Sequence, residues 1–249
     1  VALAGEASVL EMSSAPAGPP VLVVATPGFE VEAFLPLARA LAEDGSAVRL
    51  VSFGCGGQDV EELREELVAA AGAEPGVVVA HGLGATLALG AADRLHADAY
   101  VLLAPVLDLW PVAVTSWLAA RPVGAAAHLG EPVTWQEQSV HELLLGPELP
   151  LGCAPGPATR EVQDWLRAGS VPLELESIRA PVWLGISAGD DVASLEAVAP
   201  AARLLPDHRL VRLGLGRLDE RDFDHGELLV HPAAVRAAAH EVRRVNRRR

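Results

Sequence analysis

Apolar and polar positions along this chain follow two rhythms that take turns. Short, largely apolar runs occur at Val21–Ala25, Ala47–Phe53, Gly76–Ala80, Ala97–Leu103, Val182–Ser187 and Arg209–Leu213. Each reads as a strand, Val21–Ala25 and Gly76–Ala80 as buried ones. Between them the apolar residues recur with helical spacing. Over Ala33–Glu43, for example, Phe34, Leu35, Leu37, Ala38 and Leu41 line one face. Further helices are predicted from near Asp59, with acids in the first turn as the helix dipole prefers, over Ala85–Arg94, up to Leu205, and from Pro232 onward. The run A-S-V-L-E-M before Ser13 predicts an edge strand, and Ser13–Pro20 is a Ser/Ala/Pro/Gly spacer. Strands alternating with helices predict an α/β fold whose sheet is mostly parallel and covered by helices on both faces. A length of 249 residues suits one such domain, and no internal repeat interrupts it.

One junction stands out. In P-G-V-V-V-A-H-G-L-G-A-T-L-A-L-G-A-A-D, from Pro75 to Asp93, a strand and a helix leave only A-H-G-L-G-A, Ala80–Ala85, to turn the chain. This stretch resembles the nucleophile elbow of the α/β-hydrolase family, whose G-x-S-x-G signature exposes a serine between strand and helix. Here Gly82 stands at the serine position. The resemblance extends from Val21 to Val242 in chain order. T-P-G-F-E after the first core strand is similar to the family's H-G-x-x loop, with Thr26 and Pro27 in place of the histidine. The family's oxyanion hole would then fall on the backbone N–H groups of Phe29 and Leu83. Its acid matches Asp190, with Asp191 as a one-residue alternative, and its histidine matches His225 in F-D-H-G-E-L-L.

The resemblance also gives a meaning to the stretch where the α/β rhythm fails. About residues 105–178 would be a cap inserted over the mouth of the site, with Trp110, Trp117, Trp135 and Trp165 and with helical patches at Pro111–Ala120 and Ala158–Arg167. Any one of these tryptophans more commonly glues a cap to the core than lines a ligand pocket. The implied organisation is a strand and spacer over residues 1–20, a hydrolase-like domain over 21–249 carrying that cap, and an Arg-rich C-terminal tail at 243–249.

An elbow's central residue holds a strained backbone angle, at about 1–3 kcal/mol for a residue with a side chain, and glycine escapes this. Gly82 therefore suits a chain that no longer forms an acyl-enzyme. Three functions follow from the resemblance. The preferred one is a catalytically silent hydrolase-fold protein, a subunit or scaffold of an assembly or a small-molecule binder. The second is an enzyme in which His225 and Asp190 act on a bound water or substrate without a serine. The third is an esterase- or lipase-like hydrolase in an inactivated form. Cys55 and Thr86 are the nearest candidates for a substitute nucleophile, and both residue types serve more often in packing. His81, beside Gly82, is expected to pack or bond locally.

Charge and cysteine usage narrow the partners. The formal net charge is −14, all 19 basic residues are arginine, and five of them, Arg243, Arg244, Arg247, Arg248 and Arg249, close the chain. Such an acidic body repels phosphate, so no nucleic acid is expected as a partner. A protein partner or a second copy is expected, with a small apolar ligand under the cap. Cys55 and Cys153 make no C-x-x-C pair, which argues against a zinc site or disulfide framework and for a reduced, cytoplasmic setting. G-C-G-G-Q after the second core strand lacks the third glycine of a dinucleotide loop. The acids Asp219, Glu220, Asp222, Asp224 and Glu227, near His225 and His231, read as a solvated surface loop. No cofactor or metal is expected. No apolar run reaches the roughly 18 residues of a membrane span, since Val77–Ala92 is broken by His81, Thr86 and its glycines.

Overall fold

The apolar runs form a seven-stranded sheet. In the computed structural model, which describes residues 7–14, 19–54, 58–72, 75–107, 161–162, 164–165, 168, 170–190, 192–214 and 221–247, the strands are β1 (Ser8–Ser13), β2 (Pro20–Val24), β3 (Ala47–Ser52), β4 (Val77–His81), β5 (Ala99–Leu103), β6 (Val182–Ser187) and β7 (His208–Leu213). Their order across the sheet is β1-β3-β2-β4-β5-β6-β7. Only β1 runs antiparallel to its neighbour, from Ser8 opposite Ser52 to Ser13 opposite Ala47. Every residue of β4 and β5 is buried. Because successive side chains point to opposite faces, both faces at the sheet centre must be covered.

The covering helices are α1 (Leu35–Glu43), α2 (Val60–Ala71), α3 (Gly82–Gly90), α4 (Ala92–Leu95), α5 (Leu195–Ala202), α6 (Glu227–Val230) and α7 (Pro232–Asn246). Helices α1 and α7 pack on one another, as do α2 and α3. The start of α2 is fixed locally. The Asp59 side chain accepts from the N–H of Glu62 at 2.8 Å, and Glu62 returns the bond to the N–H of Asp59 at 2.9 Å. That reciprocal cap satisfies two of the donors a helix leaves unpaired at its first turn. Glu161 adds a third acceptor, for the N–H of Val60 at 3.2 Å.

Arg243 and Arg244, read from the sequence as part of a tail, belong to α7. Arg243 pairs with Asp44 at 2.8 Å, and Arg244 bonds the buried carboxylate of Glu241 through Nε at 2.8 Å. Trp110, Trp117, Trp135, Cys55, Cys153, Asp191, Asp219, Glu220 and the helical patch Pro111–Ala120 lie outside the described residues, and the patch Ala158–Arg167 lies within them only in part. Trp165 packs, half-buried, against the core. Among the described residues no helix is long and apolar enough to cross a membrane.

Candidate active site

The parallel strands β2 to β7 bring their C-terminal ends to one edge of the sheet, where α/β folds place their ligands. β4 ends at His81 and α3 begins at Gly82 with no residue between them. The whole change of direction falls on Gly82, whose φ of 55° lies in the left-handed region that glycine occupies without strain. Two residues on, the constraint is one of space. A Cβ on Gly84 would lie 2.9 Å from the carbonyl oxygens of both Val24 and Ala25, so the first turn of α3 rests on the backbone at the end of β2. The two glycines of H-G-L-G thus answer different demands, one of angle and one of distance.

The junction is pinned from both sides. Thr26 donates its hydroxyl to the carbonyl of His81 at 2.8 Å, and Thr86 donates to the carbonyl of Val106 at 2.6 Å, while the N–H of Val106 reaches the carbonyl of Gly82 at 3.3 Å. Both threonines are buried. The hydroxyl of Thr86 is therefore spent on the chain after β5 and is not poised as a nucleophile.

Asp190 and His225 meet although 35 residues separate them. Nδ1 of His225 lies 2.9 Å from Oδ2 and 3.1 Å from Oδ1 of Asp190, with both side chains almost wholly buried. Asp190 Oδ1 also accepts the N–H groups of Val192 and Ala193, each at 2.8 Å. Burial alone would raise the pKa of Asp190. The charge and hydrogen bond of His225, with the two backbone donors, outweigh that and hold the carboxyl below its ordinary value. A carboxylate on Nδ1 fixes the imidazole so that Nε2 is the nitrogen left for chemistry. That Nε2 is buried and has no hydrogen-bond partner among the described residues.

Ser187, missed in the sequence, and His81, expected there to pack or bond locally, hold His225 in place across long stretches of chain. Ser187, at the end of β6, accepts the N–H of Phe223 at 2.8 Å and that of Gly189 at 3.3 Å, fastening the histidine's loop to the aspartate's. His81 places Nε2 2.9 Å from the backbone carbonyl of His225, with the two rings 4.7 Å apart at 54°. A carbonyl only accepts, so Nε2 of His81 carries the hydrogen. Complete burial, then the adjacent His225, push the pKa of His81 from 6.5 down to about 3. Ser187 follows a strand and precedes A-G-D, but nothing in that local pattern marks a serine that bonds a loop 36 residues away.

The oxyanion positions are unequal. The N–H of Leu83 falls in the first turn of α3, where backbone donors lack partners within the helix. The N–H of Phe29 instead donates to the carbonyl of Thr26 at 3.2 Å, closing the turn at Gly28, φ 89°. In the acidic loop, Asp222 pairs with Arg212 and Glu227 with Arg221, and Asp224 and Glu227 exchange bonds with each other's N–H groups. Among the described residues no group of three or more His, Cys, Asp or Glu side chains is placed to hold a metal ion.

Comparison with known proteins bears on the fold. No family model matches the chain, and no curated protein sequence matches it. Solved structures do. A monoacylglycerol lipase from Paleococcus ferrophilus superposes with a TM-score of 0.60 at 16% identity, over 96% of this chain and 98% of that one. A thermophilic esterase from Thermogutta terrifontis gives 0.62 at 14% identity, over 97% and 94%. An α/β-hydrolase-fold protein from Nakamurella multipartita gives 0.57 at 23% identity, over 96% and 95%. The chain has the α/β-hydrolase fold.

Proposed function

We propose that this chain is a catalytically silent α/β-hydrolase-fold protein, acting as a subunit or scaffold of an assembly or as a small-molecule binder. The observation that carries the reading is Gly82, at φ 55° on the β4–α3 junction. This is the position where the fold's hydrolases carry a nucleophile, and glycine offers no atom to attack with. The long bond between Phe29 N–H and Thr26 further supports it, because that donor is already engaged. A protein partner or second copy, and an apolar ligand under the cap, belong to the same proposal.

One observation favours a second reading. The Asp190–His225 pair is intact, and Nε2 of His225 is unpartnered. Such a pair takes a proton from whatever hydroxyl or acidic C–H approaches Nε2, so it would serve an enzyme that acts on a bound water or on the substrate directly. Short-chain p-nitrophenyl esters separate the readings. The silent protein turns them over no faster than its His225→Ala variant. A His225-dependent rate without labelling by a fluorophosphonate establishes the second reading, and a fluorophosphonate adduct reveals a substitute nucleophile.

A further inference from the structure

The opposite edge of the sheet carries a feature that the site above does not use. Between the ends of α3 and α4, the start of β5 and residues 172–180 lies a cleft of about 650 Å³. Its position follows from the strands. Tyr100 is the second residue of β5 and pairs with Val78 and Val182, near the N-terminal ends of β4 and β6. The nine residues of α3 separate it from the elbow, about 13 Å at 1.5 Å per residue. The volume falls in the range of small-molecule sites.

Among the described residues, three hydrogen-bond donors in the wall have no acceptor. The hydroxyl of Tyr100, whose side chain is 1% exposed, is buried without a partner. So are Nε and Nη2 of Arg64. Arg64 spends only Nη1, on Glu61 at 3.2 Å. Its guanidinium lies flat against Gly90, where a Cβ would come within 2.5 Å of Cζ and Nη2. A buried donor left unpaired is costly, and a phenylalanine would fill the place of Tyr100 without that penalty. Burial, then the charge of Asp93, raise the pKa of Tyr100, so its oxygen keeps the proton it would donate. The same wall includes His96, the C-cap of α4, which adopts φ 49°. A non-glycine residue there is uncommon, and such residues gather at functional sites.

The chemistry of the missing acceptor can be read from these donors. The Nε–Nη2 edge of a guanidinium presents two parallel N–H groups, the fork that matches a carboxylate, and the Tyr100 phenol offers a third donor in the same cleft. Leu89, Leu173 and Ile178 supply apolar wall beside them. We propose that this cleft binds a small amphiphilic carboxylate, its anion held by Arg64 and Tyr100 and its apolar body laid against Leu89, Leu173 and Ile178. All three donors are sealed from solvent, so capture requires side-chain movement that uncovers them, with the guanidinium swinging off Gly90. The site is independent of Gly82, Asp190 and His225, and it stands whether or not the chain is catalytically silent.

Hexanoate and its uncharged isostere hexanamide test this, by calorimetric titration and by thermal shift of the full chain. Hexanoate saturates at one per chain, and hexanamide binds at least tenfold more weakly. Tyr100→Phe removes only the hydroxyl. It folds with a Tm at or above that of the parent and loses hexanoate affinity at least tenfold, as does Arg64→Leu. His225→Ala leaves hexanoate binding unchanged. The proposal is overturned if hexanoate does not saturate, if the amide binds equally well, if Tyr100→Phe binds as the parent does, or if His225→Ala abolishes binding, which would place the anion at the elbow edge. Should Arg64→Leu fail to fold, Tyr100→Phe decides alone.

Discussion

The imidazole of His81 donates to the backbone carbonyl of His225, 2.9 Å away and 144 residues later in the chain. One buried histidine thus props the other from behind, and burial keeps it neutral, because a second proton would sit on Nδ1, which has no acceptor among the described residues.

A pH dependence follows. His81 has a pKa of about 3 in the folded chain against 6.5 when unfolded. Between those values the unfolded state binds a proton that the folded state refuses, so stability rises with pH across that window and falls on acidification. At about 1.36 kcal/mol per unit of difference the full effect approaches roughly 5 kcal/mol. Urea midpoints measured from pH 7 to pH 4 should drop steeply in the parent and more gently in His81→Gln. Asp190, whose folded pKa is lowered, contributes stability that is present above its unfolded value and lost below 3.8, outside that interval. Parallel slopes in parent and variant would contradict the assignment.

Gly82→Ser restores a side chain at φ 55° and should lower stability by about 1–3 kcal/mol. On the reading proposed above it also supplies a hydroxyl near the Asp190–His225 pair. Weak esterase activity should then appear, measured with p-nitrophenyl acetate and abolished by adding His225→Ala. A serine variant as stable as the parent and unreactive would mean that Gly82 is an ordinary turn.

Gly84→Ala probes distance where Gly82 probes angle. Its Cβ would sit 2.9 Å from two carbonyl oxygens, so α3 must lift from β2. Overpacking of this kind costs about 1–3 kcal/mol, readable as a lower urea midpoint. A neutral Gly84→Ala would show that the helix has slack here.

Ser187→Ala strands the buried N–H of Phe223. The expected loss is about 1–3 kcal/mol, accompanied by broadening of the His225 imidazole resonances as its loop loosens. Ser187→Thr keeps the acceptor and should restore the sharp resonances if the added methyl is accommodated. Unchanged His225 resonances in Ser187→Ala would remove its positioning role.

The strands were legible in the sequence because a parallel sheet buried on both faces demands continuous apolar runs, and β2, β4 and β6 show them plainly. The start of α3 was not. The sequence leaves Ala80–Ala85 for the turn and predicts the helix from Ala85, whereas one glycine at positive φ performs the whole reversal and lets the helix begin at Gly82. Order along the chain singles out Asp190 and His225, and the structure brings them together. The supports of that pair were hidden, since Ser187 and His81 act on residues 36 and 144 positions away, beyond any local pattern. Tyr100 did leave a trace, as the chain's one tyrosine in an otherwise aliphatic strand.

The backbone angle at Gly82 bears on the chain's history. A junction such as the silent reading requires would differ from a reactive one by a hydroxymethyl group, and where the glycine codon ends in a pyrimidine a single base change writes serine. On the silent reading, inactivity at this locus is reversible in one mutational step, with only the strain of the new side chain to oppose it. A library of random point mutants selected for growth on an ester as sole carbon source would therefore be expected to return the serine codon at position 82 repeatedly.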